Sequence, residues 1–225
     1  IVRIACRLNE LEKINNLTKI LKKKGYKIII NLMQVSLLKD SQLKNACRLI
    51  NKLNIKVFYI ADSIGSLQPK DLSILVKNIK KKFKGHVGVH MHDNMKLALS
   101  NTLAAKKSGA VWLDSTISGM GRGAGNTCTD DLIHFISRTR KEFNIINFED
   151  YIKNNFLTLK SKYDWGSNIY YKLSALYNIH PTYVQELLKD KRYNKNEKIN
   201  IIEYLREHSA ETYSKNLLSF PRNIK

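Results

Sequence analysis

Short apolar runs alternate with longer amphipathic stretches along residues 1–143. The runs are rich in isoleucine and valine and hold few polar residues, which is typical of strands buried on both faces of a parallel sheet. The stretches between them repeat apolar residues at the three- and four-residue spacing of a helix. The predicted strands are 1–6, 26–32, 55–61, 87–92 and 111–117, and the predicted helices are 9–24, 41–53, 69–83, 96–108 and 129–143.

The residues at the predicted helix ends support these assignments. Gly25 and Gly109 follow the first and fourth helices, where glycine readily takes the left-handed conformation that ends a helix. Pro69 begins the third helix, and Ser41 is expected to cap the second. Five units of a strand followed by a helix predict a parallel α/β sheet, either doubly wound or closed as a barrel.

The positions of the polar residues favour the barrel. Ser63 follows the third strand, His90 and His92 end the fourth, and a glycine-rich loop, 119–126, follows the fifth. In a TIM (β/α)8 barrel the active site lies at the C-terminal ends of the strands. The predicted fold class is therefore α/β, part of a TIM barrel followed by a helical region.

The pattern changes after residue 143. No strand is predicted in 144–225, whereas helical spacing recurs at 171–176, 181–189 and 198–208. We therefore predict two domains, with 1–143 belonging to the barrel and 144–225 forming a C-terminal helical region. The last residues, from Phe220 onward, are expected to fray.

Composition and charge exclude several classes of partner. The net charge is +20, but the lysines are scattered over predicted helix faces without interleaved aromatic residues, so no nucleic-acid partner is predicted. No apolar run is long enough to span a membrane, and no signal peptide pattern opens the chain. The three cysteines form no disulfide framework, which favours a reducing cytoplasm.

His90 and His92 are the strongest candidate metal ligands. Two residues apart in a strand, their side chains would lie on the same face and could fill two positions around one metal ion. Such a pair alone is more often structural, and it is the location at a strand end before a glycine loop that favours metal binding. The loop has no Walker pattern, because no G-K-[ST] follows it.

Four further polar residues each have a functional and a structural interpretation. The Ser63 hydroxyl could bind an anion at the strand end, or cap the turn. Asn94 could orient a ligand from the second shell, or cap a helix. Asn126 could join the metal or cap the next helix, and Asp114 could be a second-shell acid or an inward polar residue in the middle of the fifth strand.

Four segments of the chain resemble the DRE-TIM metallolyases, a family of pyruvate-using metal aldolases and acyl-CoA condensing enzymes. The segments, within residues 1–140, read IVRIACR, YIADSIGSL, HVGVHMHDNMKLALSNTLAA and DSTISGMGRGAGN. The nearest resemblance is to the 4-hydroxy-2-oxovalerate aldolases. The family's barrel has eight strands, so these five would be strands four to eight.

The resemblance implies that the chain is truncated at its N-terminus. Strands one to three would be absent, together with the Arg-Asp-Glu motif that names the family and supplies a carboxylate ligand, an arginine for the enolate and a nearby base histidine. Five strands of eight leave exposed edges. We therefore expect the 225 residues alone to be inactive and prone to aggregate.

The resemblance also implies a site and its reactants. His90, His92 and, in one branch of the family, Asn126 would bind a divalent metal, most often Mn²⁺ and alternatively Zn²⁺, Co²⁺ or Mg²⁺. Ser63 would help to hold the carboxylate of pyruvate, which reacts with an aldehyde. An acylating aldehyde dehydrogenase is a possible partner, and we expect a homo-oligomer.

Three functions therefore compete. The first is a metal-dependent lyase that makes or cleaves a 4-hydroxy-2-oxo acid from pyruvate and an aldehyde. The second is an acyl-CoA Claisen-condensing enzyme of the isopropylmalate or homocitrate synthase type, and the third is a non-catalytic barrel that only binds a partner. The order H-M-H-D-N, and Arg122 where the second group carries an acidic residue, favour the aldolase.

Overall fold

Five parallel strands form the centre of the fold in this computed structural model, which describes residues 1–138, 144–208 and 210–219. They hydrogen-bond in the order in which they occur along the chain. A doubly wound sheet reverses its strand order part of the way through, whereas a barrel does not. The strands are β1 Val2–Cys6, β2 Ile28–Leu32, β3 Val57–Asp62, β4 His86–Met91 and β5 Trp112–Leu113.

The sheet is strongly curved. Neighbouring strands lie about 4.8 Å apart, so the two edges of a flat five-stranded sheet would be separated by roughly 19 Å. Yet Nη1 of Arg3, on β1, lies 2.5 Å from Oδ2 of Asp114, one residue beyond β5. Because two opposite edges meet in an ion pair, the sheet curls as a barrel wall does. Strand order and curvature confirm the predicted α/β barrel class.

A helix follows each strand, and further helices complete the C-terminal part. Gly25 and Gly109 both have positive φ angles, as predicted for residues that end helices. The helices after the strands are α1 Ile14–Lys23, α2 Asp40–Lys52, α3 Pro69–Lys82, α4 Ala98–Lys107 and α5 Thr129–Ser137. The later helices are α6 Ile145–Asn155, α7 Leu157–Tyr163, α8 Ile169–Leu176, α9 Pro181–Lys189, α10 Lys195–Glu207 and α11 Lys215–Ser219.

The two faces of the sheet differ in how much apolar packing covers them. On the convex face, Ile30, Phe58 and Val89 are fully buried, and the Phe58 ring meets Phe83 edge-on after α3. This packing removes about 25 cal/mol of unfavourable hydration for each Å² of apolar surface. On the concave face the apolar layer is small and polar side chains adjoin it. The apolar members there are Ile29, Val57 and Tyr59.

The chain divides into two compact units. The first, here called the sheet unit, comprises Ile1–Ser63, Leu67–Met91 and Leu99–Ser115. The second, here called the tail unit, comprises Ile64–Ser66, His92–Ala98 and Thr116–Lys225. The tail unit has its own apolar core, which includes Tyr183, Ile202 and Leu205. The predicted boundary at residue 143 stays a prediction.

Three local predictions were wrong. The fifth strand is only Trp112–Leu113, because the chain leaves the sheet at Asp114 and Thr116 pairs instead with Thr127 and Cys128. Asp114 is therefore not in the middle of a strand. Ser41 does not cap α2, because Lys39 is the N-cap and the helix already begins at Asp40.

Helix boundaries were predicted with mixed success. The first helix begins at Ile14, since residues Leu8–Glu10 form a separate 3-10 turn. Helices α6 and α7 were not predicted, whereas α8, α9 and α10 lie within three residues of their predicted bounds. Phe143, the predicted end of the helix after the glycine loop, and the predicted fraying from Phe220 lie outside the described residues. Among the described helices, none has the length and apolar character needed to cross a bilayer.

Candidate active site

The sheet unit brings two of the predicted residues together, His90 and Asp114. His90 is the penultimate residue of β4, and its Nδ1 lies 2.9 Å from Oδ2 of Asp114. An ionised carboxylate can only accept a hydrogen bond, so Nδ1 carries the proton in a neutral His90. The lone pair is then on Nε2, which is the usual arrangement of a metal-binding histidine whose other nitrogen is held by a carboxylate.

Arg3 and Tyr59 complete this cluster and were not predicted from the sequence. Nη1 of Arg3 bonds to the same Asp114 oxygen, and its guanidinium carbon lies 4.7 Å from the centre of the Tyr59 ring. Gly88 makes room for that ring, since a Cβ there would lie 2.5 Å from it. The signal that could have found Arg3 is a charged residue within an apolar strand.

The charges in the cluster are set by its neighbours. Burial alone would raise the pKa of the Asp114 carboxyl, but hydrogen bonds and positive charge from His90 and Arg3 outweigh burial and lower it. Burial, the adjacent negative charge of Asp114 and a hydrogen bond to it raise the pKa of the Tyr59 phenol. At neutral pH Asp114 is therefore an anion, and Tyr59 keeps its proton.

The Ser63 hydroxyl is hydrogen-bonded to the backbone within the sheet unit. Its Oγ accepts a hydrogen bond from the backbone N–H of Gln34 at 3.1 Å. The preceding residue, Asp62, is fully buried and accepts from the backbone N–H of Leu67 at 2.8 Å. These bonds match the turn-capping interpretation. The Ser63 hydroxyl nevertheless retains a proton that it can donate.

In the tail unit, His92 is placed beside Asn126. Strand β4 ends at Met91, one residue before its predicted end, and His92 forms an isolated antiparallel bridge with Asn126. The backbone N–H of Asp93 also bonds to the carbonyl of Gly125 at 3.0 Å. The segment that carries His92 is therefore joined to the glycine loop through its backbone.

The amide of Asn126 has a fixed direction. Its Nδ2 donates to the carbonyl oxygen of Met120 at 3.1 Å, while its buried Oδ1 has no hydrogen-bond partner among the described residues. A buried, unpaired oxygen is costly unless something else satisfies it. Helix α5 begins only at Thr129, with Cys128 as its N-cap, so helix capping does not explain Asn126.

Glycines are required at particular places in this loop. Gly125 has a φ of +83°, and a Cβ there would lie 2.3 Å from the carbonyl oxygen of Gly119. A Cβ on Gly121 would lie 2.4 Å from Nδ2 of Asn126. The loop can therefore fold closely around the Asn126 amide only with glycine at both positions.

Asn94 is a buried member of the tail unit. Only 2% of it is exposed, and its side-chain Nδ2 has no hydrogen-bond partner within the described part of the chain. Its backbone carbonyl oxygen accepts a hydrogen bond from the Ser167 hydroxyl at 2.7 Å. Close packing fixes the side chain, since a Cβ on Gly65 would lie 2.6 Å from its Oδ1. Asp93, rather than Asn94, bonds the backbone N–H of Ala98 at the start of α4.

A cavity of about 610 Å³ in the tail unit adjoins the glycine loop. Trp165 lies in its wall and donates through its indole nitrogen to the carbonyl oxygen of Ser118 at 3.0 Å. Tyr171 also lines the cavity, and its hydroxyl would lie 3.1 Å from a Cβ on Gly123. Burial raises the pKa of Tyr171, so the wall offers a protonated phenol.

Several side chains in this region have donor atoms that suit a metal ion. Within 1–138, 144–208 and 210–219, no three His, Cys, Asp or Glu residues are grouped to hold a metal. The sheet unit offers the oriented imidazole of His90, and the tail unit offers the imidazole of His92 and the unpaired oxygen of Asn126. Nitrogen and amide oxygen donors fit a first-row divalent ion that also takes a carboxylate.

Comparison with known proteins was made against families, curated sequences and solved structures. A family model described as HMGL-like matches residues 5–154. The chain is 33% identical over 138 residues to a 4-hydroxy-2-oxovalerate aldolase of Carboxydothermus hydrogenoformans, covering 61% of the chain and 41% of that protein. It is 32% identical over 156 residues to the enzyme of the same name from Geobacillus genomosp. 3, covering 67% and 46%.

A solved structure extends the similarity. The N-terminal domain of a putative aldolase from Bacteroides vulgatus is 32% identical, with a TM-score of 0.77, covering 88% of this chain and 65% of that one. The chain spans less than half the length of the two curated relatives.

Proposed function

The chain belongs to the HMGL-like family, and on that premise we propose that it forms part of a divalent-metal-dependent pyruvate aldolase. The reaction would form or cleave a 4-hydroxy-2-oxo acid from pyruvate and an aldehyde. The observation that carries the proposal is the His90 imidazole, whose Nδ1 is held by Asp114 so that the lone pair lies on Nε2. The relatives named 4-hydroxy-2-oxovalerate aldolase support it.

His90, His92 and Asn126 would hold the metal, with Mn²⁺ as the proposed ion. A carboxylate ligand of the Arg-Asp-Glu motif is not among the 225 residues. A bound divalent ion would act as a Lewis acid and stabilise the negative charge that develops on the keto oxygen of pyruvate.

The remaining residues would bind and orient. Asp114 fixes the His90 ring, and the Met120 carbonyl fixes the Asn126 amide so that its oxygen needs no reorientation when a ligand arrives. Ser63 would donate its proton to the substrate carboxylate while its oxygen keeps the Gln34 bond. Preorganised groups of this kind reduce the reorganisation that the reaction requires.

Arg122 separates this function from acyl-CoA condensation. The condensing enzymes that the chain resembles carry an acidic residue at this loop position. Here Nη1 of Arg122 donates to the hydroxyl of Thr182 at 3.3 Å. A cation at this position, bonded to a helix in the tail unit, departs from the pattern of the condensing enzymes, so we favour the aldolase. An acylating aldehyde dehydrogenase partner, a homo-oligomer and a cytoplasmic location stay predictions.

The test follows the methyl protons of pyruvate in deuterated water by NMR, with the complete gene product and Mn²⁺. We expect metal-dependent exchange that falls in His92→Ala to the rate without metal. His134→Ala is the matched control, since the His134 side chain is half-exposed and bonds to Glu149 at the surface. Equal exchange in His92→Ala, or none in a folded protein that has bound Mn²⁺, would contradict the proposal.

A further inference from the structure

We propose that Arg3 and Tyr59 are positioning residues that hold Asp114 so that His90 presents its Nε2 nitrogen to the metal ion. This inference rests on the proposed function, because it assigns His90 as a ligand. It adds two residues from other strands that act on that ligand without touching it. All four residues belong to the sheet unit.

Donors from two strands converge on one carboxylate. Arg3 on β1 and His90 on β4 each hydrogen-bond to Asp114, and the ring of Tyr59 on β3 packs against the Arg3 guanidinium. The arginine and the histidine use the same oxygen, Oδ2, at 2.5 Å and 2.9 Å. An aspartate with one donor could rotate about its side-chain bonds, whereas two donors that approach from different strands restrict that rotation.

Arg3 is held in turn by Tyr59. Its guanidinium carbon stands 4.7 Å from the ring centre, within the range of a cation–π contact. Tyr59 is only 3% exposed, and the ring occupies the space that the missing side chain of Gly88 leaves. Gly88 is two residues before His90 on the same strand. The absence of a side chain at Gly88 thus allows the ring to support the cluster.

The consequence for His90 is a choice between two tautomers. The carboxylate accepts only from a protonated Nδ1, which leaves the lone pair on Nε2. If Asp114 turns away, either nitrogen can carry the proton. A histidine in the wrong tautomer must shift its proton before it can bind, so the apparent affinity for the metal falls. Loss of such supporting partners weakens metal binding by about 10- to 100-fold.

Two readouts test this on the complete gene product. The first is ¹⁵N NMR of histidine-labelled, metal-free protein in the pH range of neutral imidazole, which reports which ring nitrogen of His90 is protonated. His90→Asn assigns the signals. The second is a Mn²⁺ titration followed by electron paramagnetic resonance. The variants are Asp114→Asn, Arg3→Met and Tyr59→Leu, which removes the ring, and Arg3→Lys keeps the charge without the planar fork.

We expect His90 in wild type to be protonated at Nδ1. Asp114→Asn should give a mixture of tautomers and a Kd for Mn²⁺ about 10- to 100-fold weaker. Arg3→Met and Tyr59→Leu should shift both readouts in the same direction by less, with Arg3→Lys in between. Lys22→Met is the control, since it removes bonds from a basic side chain to the carbonyls of Leu53 and Asn54 in the same unit, away from the cluster.

The outcomes separate the two proposals. If wild type binds Mn²⁺ and the Asp114 and Arg3 variants, folded by circular dichroism, keep both tautomer and affinity, the positioning role is overturned and the proposed function stands. If wild type has His90 protonated at Nδ1 but binds no Mn²⁺, the proposed function is overturned, and the metal part of this inference with it. Should Arg3→Met not fold, Arg3→Lys gives the decision.

Discussion

The sheet unit and the tail unit hold their polar residues in different ways. In the sheet unit, His90 is fixed by Asp114, and Asp114 by Arg3, through bonds between side chains from different strands. In the tail unit, Asn126 is fixed by the carbonyl of Met120, and the Asp93 backbone bonds to that of Gly125. One site depends on side-chain chemistry and the other on the path of the backbone.

This difference predicts where each unit is sensitive to substitution. A site made of backbone bonds tolerates many side chains but fails where an added Cβ blocks the chain. A site made of side-chain bonds tolerates small backbone shifts but fails when one partner is removed, because a buried polar group is then left unpaired. The predictions below test this contrast, and the largest effect is expected in the loop.

Gly125→Ala should destabilise the protein more than Gly88→Ala or the protonation of Asp114 does. The substitution strains a residue with φ of +83° and puts a Cβ 2.3 Å from the Gly119 carbonyl oxygen. The first effect costs about 1–2 kcal/mol, and the second adds about 1–3 kcal/mol. Gly25→Ala is the matched control, because Gly25 has φ of +82° and no atom within 4 Å of its Cβ position. If urea denaturation shows equal losses in the free energy of unfolding for Gly125→Ala and Gly25→Ala, the close approach to the Gly119 carbonyl does not contribute.

Gly88→Ala should have a smaller effect in the sheet unit. Its Cβ would meet the Tyr59 ring at 2.5 Å, but a ring can tilt where a backbone carbonyl cannot. We expect a loss of about 1–2 kcal/mol in the free energy of unfolding. Tyr59→Leu removes the obstacle, so in a double-mutant cycle the two changes should cost less together than their sum. If the free-energy costs of Gly88→Ala and Tyr59→Leu are additive, an added Cβ at Gly88 does not meet the Tyr59 ring.

Acid should produce the smallest effect, and it should depend on Asp114. The pKa of Asp114 is lowered in the folded protein, so its contribution is complete above the unfolded value of about 3.9 and is lost as the pH falls through the folded value. Because 41% of the Arg3 side chain is exposed, we expect at most about 1 kcal/mol. Unfolding by urea at about pH 7 and about pH 3, in wild type and Asp114→Asn, measures it.

The control for acid lies in the tail unit. Asp190 pairs with Arg192 and has its pKa lowered to about 2, chiefly by the hydrogen bond from that arginine, but the pair lies at the surface. Asp190→Asn should therefore leave the acid dependence almost unchanged. If it changes that dependence more than Asp114→Asn does, the cross-sheet ion pair is not what stabilises the sheet unit.

Local patterns predicted much of the fold. Strands β1 to β4 were located to within two residues at each end, since runs such as Ile28–Leu32 and Val57–Asp62 are apolar except for Asn31 and Asp62. The fifth strand was overestimated because 111–117 has the composition of a strand. Its end is set by Asp114, whose partner Arg3 is 111 residues away. No local pattern contains that information.

The roles of the candidate site residues stay predictions, and the sequence did not predict the bonds that hold them. The sequence indicated His90, His92 and Asn126 through their positions at strand ends and beside glycines. It did not predict which atom of Asn126 is unpaired, because that depends on the Met120 carbonyl across a turn. It missed Arg3 and Tyr59, since their roles depend on the curvature of the sheet.

The ion pair between Arg3 and Asp114 also bears on how the chain folds. Arg3 and Asp114 are 111 residues apart in the sequence. Bringing them together costs about 4 kcal/mol of chain entropy, and the ion pair offsets this cost only once it has formed. Such distant contacts form late and make folding slow. During synthesis Arg3 is made before Asp114, so the ion pair cannot form until Asp114 is also present. The support for His90 is therefore completed only when the last strand is in place, so intermediates with fewer strands lack an oriented His90.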